Sequence, residues 1–263
     1  MLDLIANIRH GEICELLKKQ RAVTTASLAE KFGVSVETIR KDLMLLEKEA
    51  RLVRVHGGAV LRSADKPYVK LSRRMESMQR EKTEISRLAA ALVENGDTVL
   101  IDAGSTAAAF AAELMQKLHS LTVITHSLDV FQRLCGYKDF EVILCGGEFL
   151  KSENLFYGDF AEHTLENVHA RKAFIFPSAL SLKSGICDAD SRIARMQRKL
   201  ISASDEVIVV ADSSKLERSA LIKVSDMSPA FLYITDSGLP PEIKELYQSN
   251  EIKVITPSKG GGE

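Results

Sequence analysis

Six short apolar runs, at residues 98–101, 121–125, 141–144, 173–176, 207–211 and 231–235, alternate with stretches of helical periodicity. Runs of this length, rich in Val, Ile, Leu and Phe, read as strands buried on both faces. A strand followed by a helix pairs with its neighbour through a crossover, which makes the two parallel. The expected fold class is therefore α/β, a mostly parallel sheet with helices on both faces. With 263 residues, 45% of them hydrophobic, the chain buries enough apolar surface to need no staples. Cys14, Cys135, Cys145 and Cys187 show no C-x-x-C spacing and no clustered histidines. Reduced thiols, no metal and no cofactor are expected. No apolar run approaches the roughly 18 residues that span a bilayer, and Asp3, Arg9 and His10 interrupt any signal pattern. A cytoplasmic protein with no membrane partner is expected.

The alternation is missing from the first 60 residues, which read as helices with short turns. Ile13, Leu16 and Leu17 recur at helical spacing within residues 9–20. Thr24, Thr25 and Ser27 offer caps for a short helix over 28–32, and Gly33-Val34 is a tight turn. Ser35 then caps a third helix whose buried stripe is Ile39, Leu43 and Leu46. Residues 52–55 and 59–61 flank His56-Gly57-Gly58 as a small hairpin. Two helices at a sharp turn followed by a hairpin make a winged helix-turn-helix, with its second helix sized for the DNA major groove. The outward face of that helix carries Val36, Glu37, Thr38, Arg40 and Lys41 behind Ser35. Arg40 suits a guanine edge or a phosphate, and Arg51, Arg54 and His56 on the hairpin suit flanking phosphates. Charge agrees with this division. Residues 1–90 carry 18 Lys and Arg against 12 Asp and Glu, and residues 91–263 carry 17 against 24. A basic front suits a polyanion. The bland alternative is a charged, solvated helix in an unrelated helical domain.

The run Leu28-Ala29-Glu30-Lys31-Phe32-Gly33-Val34-Ser35-Val36-Glu37-Thr38-Ile39-Arg40-Lys41-Asp42-Leu43, followed by Arg54-Val55-His56-Gly57-Gly58-Ala59, resembles the DNA-binding domain of the DeoR family of bacterial transcription regulators. The family usually has a second Arg where this chain has Lys41, which keeps the charge and loses a bidentate fork. The resemblance implies a DNA reader over residues 1–61 and a sensor over 81–257. Between them the polar, proline-containing break at 62–67 is expected to be a linker, followed by the start of a connecting helix up to 80, and the Gly-rich stretch 258–263 is expected to be a disordered tail. A single helix over 68–94 is expected as the relay between the halves.

In the back half, Val99 to Ile101 run into Asp102-Ala103-Gly104-Ser105-Thr106, a strand, a small-residue turn and a helix start. Free N–H groups at a helix start attract anions. Gly104 allows close approach, Ser105 and Thr106 add hydroxyls, and Asp102 is placed to accept from sugar hydroxyls. An ordinary capped corner explains the same residues equally well. Thr125-His126-Ser127, Gly146-Gly147-Glu148 and Asp212-Ser213-Ser214-Lys215 follow other strands, Lys215 being the cation that could neutralise a phosphate. The resemblance extends here too. It implies a sensor similar in fold to ribose-5-phosphate isomerase and CoA transferases, and a phosphorylated sugar or related metabolite as effector. Asp102, Gly104, Ser105 and Thr106 match the family's Asp-x-Gly-Thr-Thr turn. Thr125, His126 and Ser127 match Thr-Asn-Ser, with His126 in place of Asn. Gly146 and Gly147 match its Gly-Gly turn, and Asp212 and Lys215 match Asp-Ser-Ser-Lys. Phe176, Pro177 and Ile193 depart from it, and a bulkier, more apolar pocket wall is expected. The leading reading is a repressor, a homodimer or larger homo-oligomer, that binds a duplex DNA operator under effector control. The alternative is a sugar-phosphate isomerase-like enzyme with an appended DNA-binding domain, using Asp102, Glu148 and Lys215. A third is a DNA-binding protein whose pocket Phe176 and Pro177 close.

Overall fold

The computed structural model describes residues 2–20, 22–49, 51–61 and 69–257. The expected linker at 62–67 and tail at 258–263 lie outside them. The first unit contains α1 (Leu2–Gln20), β1 (Ala22–Thr24), α2 (Thr25–Phe32), α3 (Val36–Lys48), β2 (Leu52–Val55) and β3 (Gly58–Leu61). The hairpin pairs Val55 with Gly58 across a two-residue His56-Gly57 turn, Gly57 standing at φ 83, and β1 adds an unanticipated third strand against β3. Ile13, Leu17, Leu28, Ile39, Leu43 and Leu46 form the core beneath.

Two helices follow, α4 (Leu71–Glu76) and α5 (Gln79–Ala90). This corrects the single helix expected over 68–94, whose first residue lies outside the described residues. Met78 sits in the left-handed region at φ 52 and breaks the helix.

The remainder is built on β4 (Thr98–Ile101), α6 (Ser105–Lys117), β5 (Leu121–Thr125), α7 (Leu128–Leu134), β6 (Phe140–Leu144), β7 (Glu148–Leu150), β8 (Leu155–Tyr157) and α8 (Asp159–Glu166). Then come β9 (Ala170–Ile175), β10 (Ala179–Ser181), β11 (Gly185–Asp188), α9 (Ser191–Ser202), β12 (Ser204–Val210), β13 (Ile222–Ser225), β14 (Leu232–Ile234), α10 (Pro241–Gln248) and β15 (Val254–Ile255). Seven strands form one sheet in the order β15-β14-β12-β9-β4-β5-β6. Every pair within it is parallel. The six apolar runs all lie in it, within a few residues of their expected bounds. Apolar side chains pack on both faces. Phe110, Phe174 and Ile101 belong to one core, and Ala173, Ile175 and Leu200 to the other.

The last helix joins the two units. Val53, Val55, Ala22 and Val60 of the small sheet pack into the cluster that contains Leu246 and Tyr247 of α10. Asn250 Nδ2 donates to the His56 carbonyl over 3.0 Å. Beneath α10, Glu217 is buried at φ 51 and accepts the Leu182 amide at 3.2 Å. Burial pushes its carboxyl up to about 7 from an ordinary 4.5. The native state therefore holds this proton more tightly than the unfolded chain does. The stabilising contribution is complete below 4.5 and is lost as pH rises through about 7, a loss of about 3 kcal/mol. Glu217→Gln should be the more stable protein at about pH 8 and match wild type near pH 4. Denaturant titrations at the two pH values check this, and parallel pH slopes for both proteins would contradict it.

Candidate functional site

In the small unit, the helix-turn-helix angle comes from local chemistry. Thr24 caps α2 by accepting the Ser27 amide at 3.1 Å, and Gly33 ends it at φ 62. Ser35 caps α3 by accepting the Thr38 amide at 3.1 Å. With Ile39, Leu43 and Leu46 buried, α3 leaves Val36, Glu37, Arg40 and Lys41 exposed and Thr38 half-buried. Arg40 Nη1 lies 3.3 Å from Glu37 Oε2, with both side chains more than 60% exposed. Such a pair is weak, and a guanine edge or phosphate can take its place. The Thr38 hydroxyl shares a 2.8 Å hydrogen bond with Ser35 Oγ. The side chains of Arg54 and His56 are exposed on the hairpin. Asp42, on the inner side of α3, accepts Arg9 Nε at 2.7 Å and pairs with His10 Nε2 at 2.8 Å. Arg40→Ala should weaken binding to a duplex selected by the wild-type protein by about 1–3 kcal/mol. A DNA titration reads this directly, and unchanged affinity in a folded variant would contradict it.

In the parallel sheet, β4, β5 and β6 succeed one another outward on one side of β4, whereas β9, β12, β14 and β15 lie on the other. The order reverses between β4 and β9. Ligands of open α/β sheets bind beyond the carboxyl ends of the strands at such a point. Asp102 to Thr106 leave β4 there, and Phe176 and Pro177 leave β9. Gly104, at φ 112, precedes α6, which has no side-chain cap on its first turn. Thr106 Oγ1 is buried with no partner among the described residues. Lys215 reaches across from beyond β12, and its Nζ donates to the Pro177 carbonyl at 3.0 Å. Burial holds this ammonium below its ordinary pKa. Asp212 opposes that shift, and the Arg74 charge adds to it.

Several expected site residues turn inward instead. Asp102 is fully buried, and both its oxygens are engaged. Oδ1 meets His126 Nε2 at 3.0 Å, and Oδ2 accepts the Phe176 amide at 3.0 Å and Gln197 Nε2 at 2.9 Å. A carboxylate so committed does not face a sugar hydroxyl. The other nitrogen of His126, Nδ1, lies 3.0 Å from the Phe156 carbonyl. The ring is fully buried and offers no free nitrogen to a phosphate. Thr125 Oγ1 donates to the Ile101 carbonyl at 2.7 Å, and Ser127 Oγ caps α7 by accepting the Val130 amide. These groups are engaged inward, beneath the turn that follows β4. Gly147 has a packing reason of its own, because a Cβ there would stand 2.5 Å from the Tyr157 carbonyl oxygen, whereas Gly146 faces open space. Phe176 corrects the expectation of a bulky pocket wall, since its ring packs into the core 5.9 Å from that of Phe110. Ile193 packs with Ala103, Leu150 and Leu155.

The DeoR-like helix-turn-helix domain matches residues 9–65, and the DeoR C terminal sensor domain matches residues 77–237. The chain belongs to the DeoR family of transcription regulators. It is 33% identical to the HTH-type transcriptional regulator YulB of Bacillus subtilis over 94% of this chain and 95% of that one. It is 30% identical to the HTH-type transcriptional repressor GlcR of the same organism over 95% and 96%. It is 31% identical to the glycerol-3-phosphate regulon repressor of Escherichia coli over 94% and 97%. Among solved structures, ribose 5 phosphate isomerase A from Neisseria gonorrhoeae aligns with 54% of this chain and 55% of its own, at 16% identity and a TM-score of 0.40.

This DeoR-family regulator also brings to the site residues that its motifs did not mark. Arg74, on α4, stands with Nη1 3.9 Å from where a Cβ on Gly104 would lie, beside the start of α6. Lys82, on α5, is buried and held below its ordinary pKa by burial, then by the charges of Lys215 and Arg74, against Asp212. Arg74 therefore stands at the start of α6, and Lys82 and Lys215 lie near enough to it and to each other for their charges to be felt. Gln197 bridges Asp102 to Asp188 at 2.9 and 3.4 Å, and its Oε1 is buried without a partner among the described residues. Burial raises the Asp188 carboxyl, opposed by bonds from the Asp190 amide and Ser178. The sequence signal for Gln197 was a polar residue on the buried stripe of α9 beside Ile193, Met196 and Leu200.

Proposed function

We propose that this DNA-binding transcription regulator is a repressor whose operator affinity is set by a small phosphorylated metabolite, a sugar phosphate or a close relative. The observation that carries this reading is Arg74 beside the uncapped start of α6 at the sheet's switch point, with Lys82 and Lys215 near enough to feel its charge. A guanidinium at a helix N-terminus with two ammonium groups nearby favours an anion. The glycerol-3-phosphate regulon repressor among the relatives supports the same class of ligand. Residues 1–61 form the reader, with Ser35, Val36, Glu37, Thr38, Arg40, Lys41, Arg54 and His56 toward DNA. Residues 81–257 form the sensor, and Gly104, Ser105, Thr106 and Lys215 contact the effector directly. Asp102, Thr125, His126 and Ser127 support them from beneath. Helix-turn-helix proteins read paired half-sites, so the working form is a cytoplasmic homodimer or larger homo-oligomer. A coupling of about 1–3 kcal/mol between the sites is sufficient for control.

Catalysis is the weaker reading. Isomerisation needs a general base facing the substrate carbon, and Asp102 and His126 are bonded to each other below the site. The experiment is a titration of a panel of sugar phosphates into the protein–operator complex, with a turnover assay on the same panel. Release of DNA without turnover is the expected result. Turnover with no effect on DNA would replace this reading with the enzymatic one.

A further inference from the structure

Arg74 ties the effector site to the segment that carries the reader. It lies on α4, the first described helix after the reader. Its Nε donates to the Val69 carbonyl at 2.9 Å, and its Nη2 is bonded to Glu153, a buried carboxylate in the turn between β7 and β8. Its Nη1 faces Gly104 at the start of α6. One guanidinium thus spans an internal carboxylate and the place proposed for the phosphate.

The joint behind it is held under tension. Met78, between α4 and α5, is a non-glycine residue in the left-handed region at φ 52, a conformation that surrounding contacts must hold in place. Lys82 supplies such contacts. Its Nζ donates to the Ser77 carbonyl at 2.6 Å and also to the Arg74 carbonyl. The same ammonium lies near enough to Arg74 and Lys215 to feel their charges. An anion arriving at α6 therefore meets the Arg74 side chain of α4, the helix whose end Lys82 clamps.

We propose that Arg74 is an effector-binding residue, and that the effector's phosphate takes its guanidinium from Glu153, shifting α4 and with it the reader. This rests on the phosphate lying at the start of α6 as proposed above. A phosphate offers more acceptor oxygens and more charge than a single carboxylate, and it stands in the field of the helix N-terminus. Arginine's planar fork suits it to such an exchange. In the absence of effector, Glu153 serves as the internal substitute anion and keeps α4 in its resting position.

The test is calorimetric titration of inorganic phosphate into the full chain, with wild type, Lys215→Ala, Arg74→Gln and Glu153→Gln in parallel. Hydrogen exchange over residues 69–78 is followed with and without phosphate. Glu153→Gln should bind about tenfold more tightly, because its competing charge is gone, a gain that misfolding cannot imitate. Arg74→Gln should bind about ten- to a hundredfold more weakly, measured at a temperature where it is fully folded, because losing the partner of Glu153 also lowers its melting temperature. Phosphate should alter exchange over 69–78 in wild type and leave it unaltered in Arg74→Gln. If Lys215→Ala loses affinity while Arg74→Gln and Glu153→Gln titrate like wild type, the site stands and the role of Arg74 is overturned. If Arg74→Gln and Glu153→Gln shift while Lys215→Ala does not, Arg74 stands and Lys215 is misplaced. No phosphate binding by wild type, or four superimposable titrations, overturns both.

Discussion

Asp102→Ala should cost this protein about 3–5 kcal/mol of stability, as expected for loss of one side of a buried charged network. The sequence places Asp102 at a strand end as a ligand-facing carboxylate, whose removal would be expected to affect effector binding alone. Its surroundings require a different result. The change strips His126 Nε2, Gln197 Nε2 and the Phe176 amide of their acceptor in a place closed to water. Each orphaned group carries a desolvation cost of about 1–3 kcal/mol, reduced where relaxation finds another partner. The loss falls at the junction of β4, β5, β9 and α9, so unfolding of the parallel sheet should move as a whole. Asp102→Asn retains one acceptor oxygen and should lose less. Denaturant midpoints at unchanged slope measure both. A midpoint for Asp102→Ala within experimental error of wild type would show that the network is not a structural keystone.

Asp42→Ala should do to the reader what Asp102→Ala does to the sheet, at a cost of about 3 kcal/mol. Its carboxylate joins α1 to α3 through Arg9 and His10, and the Arg9 and Asp42 side chains are only 12% and 9% exposed. Burial alone would raise the Asp42 pKa, but the hydrogen bonds from Arg9 and His10 outweigh it and hold the carboxyl below its ordinary 3.8. A depressed folded pKa contributes stability above 3.8, which is lost as pH falls through the folded value. The reader should therefore lose this link in acid, and Asp42→Ala should lack it at every pH. Few residues make up this unit, so the loss is a large share of its stability. Amide exchange in α1 and α3, beside operator affinity, checks this. Protected amides and intact DNA binding in Asp42→Ala would contradict it.

Both carboxylates show how far the sequence reaches. The strands β4 and β5 are legible to the residue, because a fully buried parallel strand is a continuous apolar run with a polar turn at its end. Ser35 and Gly33 mark the start of α3 and the end of α2 for equally local reasons. Strands of three residues, such as β1 and β10, leave no such pattern. The break at Met78 is invisible because its neighbours favour helix, and Lys82 and Arg74 shape the turn from outside it. The same distance hides the site's cations. Arg74 and Lys82 sit on charged helices that read as solvated, and only the fold brings Arg74 to Gly104 and Lys82 to the Arg74 carbonyl. For Asp102 and His126 the spacing is right and the direction is not. A strand-end polar residue that touches a ligand and one that props the floor beneath it obey the same sequence pattern. Only the hydrogen bonds that each oxygen and nitrogen makes distinguish the two.

The most direct measurement of the account is operator binding across a sugar-phosphate titration, wild type against Lys215→Ala. Without effector the two should hold DNA equally, because Lys215 lies in the sensor, away from α3. Loss of a charge-assisted contact worth about 1.5–3 kcal/mol should move the effector midpoint of Lys215→Ala upward by about 10- to 150-fold. Superimposable midpoints in two proteins that bind operator equally well would mean that the phosphate does not bind where β4 and β9 diverge.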